Sequence, residues 1–150
     1  MDNLMKVIVM WLSTNFGTPD THEHPKVMFI ANDDMIEVRA DVLDHQEDLA
    51  TLRAAVRQGE GFLSLYDDAS RTIYLPEDWS AASPADVSLL VHEYVHHVQN
   101  VGHLAHGCEE ERERLPYRAQ SRWLDLFGTT LEKEFGVDGL TLLVRTKCWQ

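Results

Sequence analysis

The chain predicts an α+β fold in which a short β-hairpin or sheet packs on one long apolar helix and a second helix follows it. Three observations carry this. Residues 85–100 run without Gly or Pro and are apolar on most sides. Two β-rich runs flank a polar turn at 67–70. Tyr117, Gln120, Leu124, Phe127, Leu131 and Phe135 then recur at helical spacing. With 150 residues, 44% of them hydrophobic, and no repeat, linker or low-complexity stretch, residues 1–150 read as a single domain with enough chain for a core.

The opening segment reads as an amphipathic helix to about Asn15, ending near Gly17 and Pro19. Its apolar stretch at 7–12 is a poor signal peptide, because Asp2 precedes it and no small-residue cleavage site follows. Lys26–Ile30, an apolar run after Pro25, reads as a strand. Asn32 and Asp33 cap a helix through Arg39, and 43–58 reads as a further helix that Gly59 and Gly61 break. Runs at 61–66 and 71–76 form the hairpin, with Asp67 and Asp68 as turn residues rather than metal ligands.

Ser83-Pro84-Ala85-Asp86 starts the long helix. Ser83 can cap, Pro84 suits the first helical position, and Asp86 supplies the acid three residues after the cap. Val87, Leu90, Val91, Tyr94, Val95, Val98 and Val101 cover a surface wide enough for burial. Residues 102–107 read as a loop carrying His103 and His106. The last long helix is expected from about Pro116 to Glu134, with Trp123 and Leu126 widening its apolar face and Gly136 ending it.

A net charge of −12 and a pI near 4.9 repel nucleic acid, and no basic stripe with interleaved aromatics offsets this. That class of function is excluded. No apolar run approaches the length of a membrane span. The expectation is a soluble domain, cytoplasmic or exported with its signal removed. Cys108 and Cys148 either pair in an oxidising compartment or remain thiols. As a soft metal ligand Cys108 ranks below a carboxylate.

The chemistry is concentrated in His92-Glu93-Tyr94-Val95-His96. On a helix, His92 and His96 share one face and can converge on a metal ion. Glu93 projects beside it, where a carboxylate can take a proton from water on the metal. A Glu on so apolar a helix needs a partner, since burying an unpaired carboxylate is costly. His97 points about 100° away from His96, which makes it a polar edge residue or a support for the ligands rather than a ligand.

Two histidines leave a catalytic zinc one protein ligand short, with the last position kept for water. Glu109, Glu110, Glu111 and Glu113 follow the loop. If the last helix extends back one turn, Glu113, Tyr117, Gln120 and Leu124 share its inward face, so Glu113 is the chosen third ligand. Pro116 leaves Glu110 or Glu109 possible, and the remaining glutamates read as a solvated face.

The HEYVH segment with a Glu downstream resembles the gluzincin type of zincin metallopeptidases. The order TIYLP, HEYVHHVQ, a Glu-rich stretch and YRAQSRWL is similar to small single-domain peptidases of that clan, over about 61–124. The resemblance implies a zincin-like domain with Zn2+ as cofactor and a peptide or protein as substrate. His92, His96 and Glu113 would hold the metal and Glu93 would act as general base. Tyr117, Tyr74 and His103 are candidates to steady an oxyanion, with Tyr117 and His97 also placed to support the site. The strand at 72–75 is expected to offer an edge on which an extended peptide pairs. Two other classes compete: a zinc-binding protein without turnover, in a structural or regulatory role, and a metal-free module whose acidic surface meets a basic partner.

Overall fold

The computed structural model describes residues 1–42, 50, 53, 54 and 64–149. The helix expected over 43–58, its glycine breakers and the first residues of the hairpin at 61–63 lie outside these. In order come α1 (Asp2–Phe16), β1 (Lys26–Ile30), α2 (Asn32–Val42), β2 (Leu65–Asp67), β3 (Thr72–Pro76), α3 (Pro84–Val101), α4 (Glu109–Arg112), α5 (Arg114–Asp125), α6 (Leu131–Phe135) and α7 (Gly139–Thr146). Among the described residues the fold is α+β, mostly helical, with a three-stranded sheet. No helix of the described residues is long and apolar enough to cross a membrane.

Helix α3 is the axis of the molecule. Ser83 caps it, its side chain accepting from the Asp86 N–H at 3.2 Å, with Pro84 in the first turn. Every residue from Val87 to Gln99 is buried. So long a burial requires cover on all sides. Helix α1 gives Ile8 and Leu12, the sheet gives Tyr66, Ile73 and Leu75, and α5 gives Ala119 and Trp123. Ile8 and Leu12 are four apart on α1, the spacing that puts them on one face. Gly17 ends α1 at φ 65°, a conformation that costs glycine nothing.

Strand β2 pairs antiparallel with β3 across the Asp67–Ser70 turn, where Asp67 accepts from the Ala69 N–H. Strand β1 pairs with β3 in parallel, Lys26 opposite Thr72 through Ile30 opposite Pro76. The order is β1-β3-β2, so β3 is the central strand. This corrects the expectation that 72–75 offers a free edge. Its backbone groups are taken on both sides from Thr72 to Tyr74, and among the described residues the sheet edges belong to β1 and β2.

The expected continuous helix from 116 to 134 is two helices. Helix α5 stops at Asp125, the chain turns through Gly128 at φ 71°, and Thr130 starts α6 by accepting from the Lys133 N–H. A glycine at a left-handed position followed by a capping threonine stops a helix whatever the apolar spacing across it. The turn also corrects two expected core positions: Leu126 is 60% exposed and Phe127 54%. Leu131 is recovered for a small second cluster with Leu124 and Val137, against which Leu142 of α7 packs.

Candidate metal centre

His92 and His96 stand one turn apart on α3, and both reach the same carboxylate. His92 Nε2 lies 3.1 Å from Glu113 Oε2, and His96 Nε2 lies 3.1 Å from Glu113 Oε1. One atom from each residue lies within 4.8 Å of the others, a group that could hold a metal ion. The imidazoles are buried while the Glu113 side chain is 34% exposed, so the group meets solvent on the carboxylate side.

Glu113 reaches this position because the chain is helical through it. It links α4 to α5 in right-handed helical conformation (φ −72°, ψ −15°), and its carbonyl accepts from the Tyr117 N–H at 3.1 Å. Pro116 therefore falls in the first turn of α5, where its missing amide leaves no bond unmade within the helix. The other candidates turn elsewhere. Glu109 is 81% exposed on its side chain and faces His106 and Arg112, Glu111 accepts from the Gly107 N–H, and Glu110 is exposed.

The outer nitrogens are held as well. His92 Nδ1 lies 2.9 Å from Gln120 Oε1, and His96 Nδ1 lies 3.1 Å from Gln99 Oε1. The amide of Gln120 donates to Ser88 Oγ at 3.2 Å and that of Gln99 to the Arg112 carbonyl at 3.0 Å. The Arg112 guanidinium pairs through both terminal nitrogens with Asp68 in the hairpin turn. Asp68, expected only to form a turn, thus anchors the segment that delivers Glu113.

Charge in the cluster is mutually supporting. Burial opposes ionisation of Glu113, but hydrogen bonds and charge from His92 and His96 outweigh it and hold the carboxyl well below the usual carboxylate range. Burial likewise opposes a charge on His92, yet the Glu113 hydrogen bond and the nearby Glu93 and Glu113 carboxylates raise its pKa above the ordinary imidazole value. Cation and anion hold each other in place.

A family model described as Domain of unknown function (DUF6647) matches residues 1–150. The chain belongs to this family. No curated protein and no solved structure matches it.

In this DUF6647 chain Glu93 is buried next to His92, and its Oε1 accepts a hydrogen bond from Ser64 Oγ at 2.7 Å. Ser64, just ahead of β2, has no sequence signature for this role, because the contact spans 29 positions. Tyr117 stacks edge-on against His92 with ring centroids 4.7 Å apart, and its hydroxyl accepts from Arg145 of α7 at 2.9 Å. Burial raises the pKa of that hydroxyl against the pull of Arg145, so it keeps its proton at neutral pH. No hydrogen bond, ion pair or ring contact joins Tyr74 or His103 to the group among the described residues, and His103 is exposed.

His97 is neither an edge residue nor a support for the ligands. It is 1% exposed, donates from Nε2 to the Glu23 carbonyl at 2.7 Å and accepts at Nδ1 from the Tyr66 hydroxyl at 3.0 Å. The 100° step along the helix carries it to the far side of α3, into the sheet. Cys108 leaves the set of possible ligands because it is bonded to Cys148, with a Cα separation of 6.0 Å. That disulfide ties the start of α4 to the chain just beyond α7.

Proposed function

We propose that this protein is a zinc-dependent hydrolase of zincin-like type that cleaves peptide bonds. The observation that carries the reading is the convergence of His92, His96 and Glu113, three ligand atoms within 4.8 Å. Two imidazoles and a carboxylate are the donor set of a catalytic zinc that keeps a position open. His92, His96 and Glu113 would hold the zinc, which would supply an activated water and a Lewis acid for a scissile carbonyl. Glu93 would serve as the general base that carries a proton to the leaving amine, with its Oε1 held by the Ser64 hydroxyl. Tyr117, kept neutral by burial and oriented by Arg145, is the residue we assign to donate to a developing oxyanion.

A second reading, zinc held without turnover, draws on the 5% exposure of Glu93 and its bond to Ser64. The two separate in one pair of measurements. Elemental analysis of the purified protein should find about one zinc per chain, retained in Glu93→Gln. Peptide-library cleavage should be seen in the wild type and be lost in that variant. Zinc retained with no cleavage by either form selects the second reading, and no zinc in either form rejects both.

A further inference from the structure

We propose that Gln99 and Gln120 are positioning residues that make His96 and His92, in their neutral form, keep the proton on Nδ1, so that bare Nε2 atoms then face Glu113. Their purpose rests on the metal reading above, but the proton placement belongs to the metal-free protein as well.

The argument is one of donors and acceptors. A peptide carbonyl only accepts, so the Arg112 carbonyl fixes the Gln99 amide with its NH2 toward Arg112. Oε1 is then turned to His96 Nδ1, and because an amide oxygen also only accepts, the hydrogen between them sits on the ring. The same logic runs through a longer chain to His92. The Ser88 hydroxyl donates to the Ala85 carbonyl at 2.6 Å, which leaves its oxygen to accept from the Gln120 NH2. Gln120 Oε1 therefore faces His92 Nδ1 and accepts from it.

The Arg112 carbonyl is free for this use because of Pro116. In a continuing helix the amide four residues on takes each carbonyl, and residue 116 has no amide to give. A proline that looks like an obstacle to delivering Glu113 instead releases the group that sets Gln99. One stretch of chain, 112–120, thus supplies a ligand, a carbonyl anchor and a glutamine to two histidines on another helix. With both rings neutral, the three atoms that face each other all carry lone pairs and none carries a hydrogen. Such a group is satisfied by a cation.

The test is nitrogen-15 NMR of histidine-labelled, metal-free protein at alkaline pH, raised until the imidazole signals stop moving and both rings are neutral. Long-range proton–nitrogen spectra should show Nδ1–H and bare Nε2 at both His92 and His96. Gln99→Leu should give mixed tautomers at His96 alone, and Gln120→Leu at His92 alone, each with zinc affinity about 10- to 100-fold weaker. Gln99→Glu should restore the His96 pattern, since a carboxylate also only accepts. A proton on Nε2 of either ring in the wild type overturns the proposal, as does an unchanged His96 in a folded Gln99→Leu. The expected proton placement without zinc uptake upholds the glutamine assignment and sinks the metal reading alone.

Discussion

His96 and His97 are neighbours on one helix, both buried, and they do opposite things. His97 ends in a closed circuit: it gives its one proton to the Glu23 carbonyl and takes one from Tyr66, whose hydroxyl in turn accepts from Asn100. Nothing in that circuit asks for another particle. His96 is satisfied only on its outer side, by Gln99, while its inner nitrogen faces a second imidazole and a carboxylate. What separates a structural histidine from a candidate ligand here is whether the donors and acceptors around the ring balance, not how deeply the ring lies.

The sharpest way to break this contrast is to remove the group on which the inner nitrogens converge. Glu113→Ala should abolish stoichiometric zinc by elemental analysis, whereas Glu110→Ala should keep about one per chain. Equal zinc in both variants would move the third ligand elsewhere. Next in size is His97→Phe. It strands the Glu23 carbonyl and removes the acceptor of the Tyr66 hydroxyl, so denaturant unfolding should show a loss of about 2–4 kcal/mol. Zinc content should be untouched, and a variant that loses zinc while staying folded would erase the distinction between the two faces.

Smaller effects come with pH, and the two histidines differ in sign. The pKa of His92 is raised above the ordinary imidazole value in the metal-free protein, so below that raised value zinc must displace a proton there. Apparent zinc affinity should fall as pH drops through that range, by up to about tenfold per unit for each proton displaced. Titration calorimetry at several pH values would show it, and a flat profile would contradict it. For His97 burial lowers the pKa below 6.5. Below that value the unfolded chain binds a proton that the native protein refuses, so His97 costs stability as pH falls. The acid side of the stability curve should be shallower in His97→Phe than in the wild type.

The local parts of the structure were legible in the sequence because local chemistry determines them. Ser83, Pro84 and Asp86 announce the start of α3, the Asp67–Ser70 turn announces the hairpin, and the spacing of His92, Glu93 and His96 announces a shared face. Glu113 was chosen over Glu110 by helical spacing alone, and the helical conformation through residue 113 is what brings its carboxylate to the two histidines. The break at 126–130 was written as Gly128 and Thr130 but outweighed by an apolar periodicity that ran across it. Ser64, Gln99 and Gln120 were not legible as partners of the site. An amide or hydroxyl side chain has no pattern that reveals which group it will meet after the chain folds.

The parallel pairing of β1 with β3 has a consequence in time. β2 and β3 are joined by a short turn and can pair early, as can α3 and α5 across the loop between them. Lys26 must wait for Thr72, with α2 and the following segment between them. Closing so long a loop costs entropy before any strand contact returns it, which makes such pairings slow. The hairpin and its helices are thus expected to assemble first, with β1 joining as the late step that completes the sheet. The segment that carries the Glu23 carbonyl to His97 precedes β1 directly, so the closed circuit around His97 should be among the last contacts made.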